Sequence, residues 1–329
     1  MNIGYDGGFS SIKAVADDRR CMFPSFAVRP RESLFSLNGH STIIVDGPGG
    51  AYLLGEEAVK KGTRGARKET ATWINSPEWL IYFLGAYSEL TRATQTTVNL
   101  VTGLPIADYQ RDKQTVIDRL TGTHSFTRQG RYAQVVKVIG VRVVPQAWGA
   151  VLDLLLDERG NVADPSLVDS RVAVLDIGGR TVNYLSVDGL SDIPDESKGT
   201  DKGAWDVCRA VRQYLDNAHP GLSRMRDHQI MKAVVSGELY DAGEPIDLGP
   251  VVNPIIAEIG QEIVDTASQY WGSGAATFRR VIVCGGGAHL WGRHIRAAFR
   301  QAVVSDKPVY ANARGFYKFA MYLSAEGQW

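Results

Sequence analysis

Apolar positions along this chain alternate between two spacings, and the switches between them mark its elements. Ile3 and Tyr5 open a strand-like run that stops at Asp6-Gly7-Gly8, and an apolar alternation resumes over residues 11–16. A third short strand is expected near 21–23, stopped by Pro24. Two more are expected near 34–37 and 42–45, joined by Asn38-Gly39, a strong type I′ hairpin signal, with a loop at 47–50. Trp79, Leu80, Phe83, Leu84, Tyr87 and Leu90 fall at spacings of three and four and predict a helix over 77–91. Residues 97–104 read as a strand closed by Pro105, 108–120 as a polar helix, and 126–144 as strand–turn–strand rich in valine. A helix is expected after Pro145, with Ala147, Val151, Leu154 and Leu155 on its apolar face, followed by a polar loop over 157–170.

At Arg171 the opening pattern begins again. Residues 172–175 form an apolar strand ending on Asp176, then Gly178-Gly179, then a second strand over 181–187. Laying Asp6 on Asp176 superimposes Gly8 on Gly178 and Ser11 on Thr181. The similarity is short, but it falls at the start of each half, where a duplicated domain would place it. Beyond it, helices are expected at 203–215, 253–270, 291–299 and 313–323, a buried strand at 280–284, and a short connector at 309–312. Residues 227–235 fit either a helix or a strand.

Composition narrows the class. At 329 residues and 44% hydrophobic, the chain can bury two cores. Lys plus Arg and Asp plus Glu both number 36, so no global charge pulls it toward nucleic acid or anionic lipid. The basic segment KKGTRGARKE (60–69) reads as a solvated loop or a contact surface rather than a nucleic-acid site, since no aromatics interleave it. Cys21, Cys208 and Cys284 are too scattered for a metal or disulfide framework, which suits a reducing, cytoplasmic setting. No signal-peptide pattern, membrane span or amphipathic anchor is expected.

The Asp-Gly turns carry the candidate chemistry. A phosphate chain bound with Mg²⁺ needs converging backbone N–H groups and one or two carboxylates. Glycine lets the backbone approach closely, and Asp6 and Asp176 each stand at the mouth of a strand. One such turn alone is an ordinary structural turn. Two in register, with a third glycine-rich turn at Gly285-Gly286-Gly287, favour phosphate. Neither GxxxxGK[ST] nor a GxGxxG after a strand is present.

Five segments in this order resemble the actin/Hsp70/sugar-kinase superfamily, and most of all the ParM/StbA-type plasmid-segregation actin-like proteins and their archaeal relatives. They are IGYDGGFSSIKAV (3–15), VVPQAWGAV (143–151), VLDIGGRTVNYL (174–185), IVCGGGAHL (282–290) and YANARGFYKFA (310–320). The resemblance implies an α/β actin-like ATPase fold: two RNase H-like domains, 1–144 plus 310–329 and 145–309, with a nucleotide cleft between them. It implies that Asp6 and Asp176 serve Mg²⁺, directly or through water, and that Gln146 with Asp176 positions the water attacking the γ-phosphate. Gly7, Gly8, Phe9 and Ser10 would put donors on the phosphates, as would Gly178, Gly179, Arg180 and Thr181. Lys13 would touch phosphate or else face solvent at a strand end. Gly199, Asp201, Lys202 and Gly203 would border the ribose, and Gly285, Gly286, Gly287 and Ala288 the sugar and base. Arg180 departs from the pattern and either touches phosphate or lies over the cleft edge.

The function implied is an ATP- or GTP-hydrolysing filament protein, left with ADP or GDP, that segregates plasmid DNA through a small DNA-binding adaptor. Direct nucleic-acid binding and a membrane partner are not expected. A small-molecule kinase or phosphatase is the rival, with Asp153 or the 60–78 region as source of a base. A non-polymerising assembly component is a third reading, and a chaperone ATPase, which would need a further substrate domain, is not expected.

Overall fold

The structure is a computed structural model and describes residues 1–30, 42–61, 73–129 and 132–329. In chain order the first half runs β1 (Asn2–Gly7), β2 (Ser11–Ala16), β3 (Arg19–Pro24), β4 (Ala27–Val28), β5 (Ile43–Gly47), β6 (Gly50–Leu54), α1 (Gly55–Lys61), α2 (Pro77–Leu90), β7 (Gln95–Leu104), α3 (Ile106–Leu120), β8 (Gly122–Arg128), β9 (Ala133–Pro145) and α4 (Trp148–Leu155). The second half runs β10 (Arg171–Ile177), β11 (Val182–Asp188), β12 (Ser191–Asp192), β13 (Lys198–Thr200), α5 (Ala204–Ala218), α6 (Asp227–Ser236), β14 (Tyr240–Asp241), β15 (Glu244–Pro245), α7 (Gly249–Trp271), β16 (Arg280–Cys284), α8 (Ala288–Ala298), β17 (Ala302–Val304) and α9 (Ala311–Ala325). Two compact units result: residues 1–165 with 310–329, and residues 166–309.

Each unit is organised by a sheet, and the two sheets repeat one plan. In unit 1 the order is β3-β2-β1-β7-β9-β8-β5-β6-β4, with β7 parallel to both β1 and β9. In unit 2 it is β12-β11-β10-β16-β17, with β16 parallel to both β10 and β17 and β13 added onto β11. An antiparallel hairpin followed by two parallel strands thus occurs twice, as the repeated Asp-Gly motif predicts. β10 (RVAVLDI) is buried at every position but its first, so it reads as a continuous apolar run rather than an alternation.

Helix α2 is buried nearly all round, and this core includes Phe83 edge-on to Tyr5 of β1. Pro105 stands at the N-cap of α3, which begins two residues ahead of expectation. The expected loop at Gly47–Gly50 is instead the tight turn of a hairpin: Asp46 faces Ala51 and Gly47 faces Gly50, with Gly49 at φ +87°. The hairpin expected at Asn38-Gly39 lies outside the described residues, as do positions 62–69 of the basic segment; Lys60 and Lys61 close α1. The ambiguous stretch 227–235 is helical, within α6. Helix α7 starts at Gly249 and carries Pro254 inside its first turns.

Helix α4, read from the sequence as the start of a second domain, packs on α9 within unit 1. At their crossing two glycines meet. A Cβ on Gly315 would sit inside the Gly149 carbonyl group and 2.9 Å from Asp153 N, so the two backbones touch without side chains between them. One turn further on, the Asp153 carboxylate accepts from Arg314 Nε (3.0 Å), and Lys318 Nζ lies 3.0 Å from its Oδ1. All three side chains are largely buried. A buried cluster of this kind destabilises strongly only when one member is removed. Arg314→Ala leaves Lys318 on Asp153, so a loss of about 2 kcal/mol is expected, read from the urea midpoint.

Candidate phosphate site

The unit 1 constellation grows from the β1–β2 hairpin. Its register pairs Asp6 with Lys13, so both side chains project from the same face of the hairpin. Lys13 Nζ donates to Asp6 Oδ2 at 3.1 Å, and the lysine side chain is only 12% exposed. Of its two sequence readings, the solvent-facing strand-end lysine is therefore ruled out. Gln146, the residue after β9 ends at Pro145, donates from Nε2 to the other oxygen, Asp6 Oδ1, at 2.8 Å. Its backbone N–H donates to Leu104 O at 2.7 Å, which ties the end of β9 to the end of β7. Asp6 itself is 2% exposed. A buried carboxylate needs such donors on both oxygens, and they fix its rotamer.

The turn beside it is braced as well. Ser25 donates from its hydroxyl to Gly8 O at 2.7 Å and from its backbone to Ser10 O at 3.1 Å. A Cβ on Gly8 would lie 2.9 Å from the Lys13 ammonium. Tyr5 lies one residue before the carboxylate, and burial first, then the Asp6 charge, raise its phenol well above the usual range. It stays protonated at any ordinary pH.

In unit 2 the same hairpin carries different side chains. Asp176, 4% exposed, pairs across to Asn183, which occupies the place that Lys13 holds in the first copy. The turn closes with Gly178 N–H on Thr181 O at 2.8 Å. β16 runs parallel on the other side with Cys284 opposite Asp176, which delivers Gly285 beside the carboxylate. Gly285 has φ +80°, and a Cβ there would lie 2.7 Å from Asp176 Oδ1. Only glycine allows both that conformation and that approach. Gly287 N–H donates to Ile177 O at 2.8 Å, and Ala288 then starts α8.

The expected ribose segment divides by role. Gly199 pairs with Asn183 in the β13–β11 ladder. Gly203 lets the start of α5 press onto the second turn, where Ala204 and Trp205 N–H groups donate to Gly178 and Gly179 O at 3.2 and 2.8 Å. Lys202 turns to α7, where Nζ lies 3.0 Å from Glu262 Oε2, and that hydrogen bond raises the lysine pKa. Asp201 is exposed and lies 3.6 Å from Arg180 Nε. Asp6, Lys13 and Gln146 therefore form one connected constellation in unit 1, and Asp176 with the Gly178–Thr181 and Gly285–Gly287 turns forms another in unit 2. The bond from Gln146 to Asp6 joins residues 140 apart and has no local sequence signal.

No group of three or more His, Cys, Asp or Glu side chains arranged for a metal occurs among the described residues. Nor is any described helix long and apolar enough to cross a membrane.

Comparison with known proteins bears on both units. Residues 4–149 match the family model for the N-terminal domain of actin-like proteins, and residues 174–297 match that for the C-terminal region of the archaeal actin homologue MreB-like proteins. A search of the curated proteins finds no match. Among solved structures, an archaeal actin homologue superposes with a TM-score of 0.82 at 18% identity, covering 99% of both chains. A non-polymerisable mutant of pCBH ParM gives 0.80 at 21% identity, covering 100% of this chain and 99% of that one. A 15-stranded ParM filament from Clostridium botulinum gives 0.79 at 21%, covering 97% of this chain and 98% of that one.

Proposed function

Because the chain belongs to the actin-like proteins, we propose that it binds and hydrolyses a nucleoside triphosphate, ATP or GTP, and assembles into filaments under control of that reaction. The observation that carries the reading is the buried Asp6 carboxylate held between Lys13 and Gln146, with a second hairpin aspartate, Asp176, in the repeated unit. Two of the similar structures are described as a ParM filament and as an archaeal actin homologue in complex with ADP. Filament assembly and nucleotide binding are carried to this chain from that likeness, and segregation of plasmid DNA through a small adaptor is added to the proposal from the resemblance of the sequence motifs to the ParM/StbA type.

In this reading the two glycine turns supply backbone donors to phosphate oxygens. Asp6 and Asp176 are the carboxylates that would hold Mg²⁺ or its waters, and the ion would neutralise charge on the phosphates. Lys13 is poised to exchange its bond to Asp6 for one to phosphate. Gln146 cannot take a proton at neutral pH. Its amide can orient a water, with the oxygen left free by the Nε2 bond accepting from it.

A kinase on this fold would want a carboxylate base near the reacting phosphate. Asp153, the residue considered for that task, is engaged by Arg314 and Lys318 and is therefore unsuited to it. The test is light scattering with Mg²⁺ and ATP, GTP, ADP or a slowly hydrolysed analogue, run beside phosphate release. Scattering that rises with a triphosphate and decays as phosphate appears is the expected result. No scattering with any nucleotide across protein concentration and salt would refute the filament reading.

A further inference from the structure

Charge in unit 2 is distributed unevenly. Between Thr266 and Ser305 there are five arginines, Arg279, Arg280, Arg293, Arg296 and Arg300, and no aspartate or glutamate. All five are exposed. None of them forms an ion pair among the described residues, whereas Arg111, Arg171, Arg209, Arg212 and Arg314 each hold a carboxylate. Arg293 and Arg296 lie on α8 and Arg300 just past its end, at spacings of three and four that align them in one stripe about 10 Å long. The hydrogen bond from Val281 N–H to Gln301 O brings Arg280 and Arg279 beside Arg300. The α8 dipole favours Arg296 and Arg300 near its C-terminus but does nothing for Arg279, Arg280 or Arg293.

The stripe faces away from the neighbouring helix. Trp291 Nε1 donates to Ile256 O at 2.9 Å and the His294 ring lies against Gly260, so that side of α8 packs on α7. On the solvent face of α7, Glu258, Glu262 and Asp265 follow the same spacing of four and three. They line a shallow hollow of about 560 Å³ with Lys202, Gln261 and Gln269. Three carboxylates there meet one ammonium, since Lys202 pairs with Glu262 and Gln261 bonds Asp265.

We propose that the arginine stripe of one copy docks into the acidic hollow on α7 of the next copy, as an assembly contact of this protein. A row of guanidinium groups with no ion pair among the described residues and a surface rich in carboxylate are complementary in charge. They are different patches of the same unit, so each copy can offer its stripe to one neighbour and its hollow to another; such a heterologous contact extends into a polymer where its rotation does not close into a ring. The proposal rests on the filament reading above and adds to it the surfaces that meet.

The test uses charge exchange in the full chain, scored by nucleotide-dependent pelleting over a salt series. R293E/R296E/R300E and, separately, E258K/E262K/D265K are each expected to raise the critical concentration about tenfold or more at low salt. The chain carrying all six changes is expected to return to within about threefold of the unchanged protein. The milder R293Q/R296Q/R300Q, which keeps the helix, is expected to fall between. Normal pelleting by either reversed chain, or by the glutamine chain, would overturn the proposal while leaving the filament reading intact. Failure of the unchanged protein to pellet with any nucleotide removes both. If a labelled DNA duplex binds the unchanged protein and not the arginine variants, with pelleting unaffected, the stripe is a nucleic-acid face and the proposal is wrong.

Discussion

Gln146→Ala is expected to slow phosphate release about a hundredfold while nucleotide affinity changes less than threefold. The side chain touches Asp6 through one amide atom and offers the other to water, so it is a positioning group rather than a proton acceptor. Alanine keeps the backbone bond from residue 146 to Leu104 O, and the end of β9 therefore stays where it is. What is lost is the orientation of the water, which acts in the transition state and not in binding. Single-turnover phosphate release and a fluorescent-nucleotide titration separate the two. Turnover near that of the unchanged protein would remove Gln146 from the mechanism. Gln146→Glu should fare no better, because it sets a second carboxylate 2.8 Å from the first where an amide donor now sits.

Gly315→Ala is expected to destabilise unit 1 by about 4 kcal/mol or more, a size reserved for mutations that break packing outright. The added methyl would meet Gly149 C at 2.6 Å and Asp153 N at 2.9 Å. Both are backbone atoms, so no rotamer change makes room. Relief requires separating α4 from α9, and that also pulls Arg314 and Lys318 from Asp153. Urea unfolding read by far-UV circular dichroism measures the effect. Gly221→Ala is the control: its Cβ would find only Asp241 Oδ1 at 3.6 Å, and a change under about 0.5 kcal/mol is expected.

The duplication was legible because the hairpin motif is local: strand, Asp-x-Gly, strand fits within a dozen residues, and both copies fold as read. The alignment that joins Asp6 to Asp176 also sets Lys13 on Asn183, and that difference between the copies was open to view. The direction of the Lys13 side chain was not, because cross-strand pairing decides it. The place of α4 was hidden for a similar reason. Pro145 marks the end of a strand, but the glycine that receives α4 is Gly315, far along the chain. The turn at Gly47–Gly50 read as a loop because Pro48 and two glycines signal a break equally well in a hairpin and in a connector. Net charge is silent on local patches. An overall balance of 36 against 36 conceals a segment of forty residues with five arginines and no acid.

Unit 1 is assembled from both ends of the sequence, with α9 laid on β1 and against α4. During synthesis that order has a cost. Unit 2 occupies one continuous stretch, residues 166–309, and can close its core as soon as β17 leaves the ribosome. The Gly149 surface of α4 and the Gly4 side of β1 stay uncovered until α9 emerges, so for that interval the nascent chain carries a finished unit and an open sheet. A chain arrested with β17 outside the ribosome and residues 310–329 still within the exit tunnel would therefore present chaperones and proteases with an open unit 1 alone, and limited proteolysis of such arrested chains should leave an intact fragment beginning near residue 166.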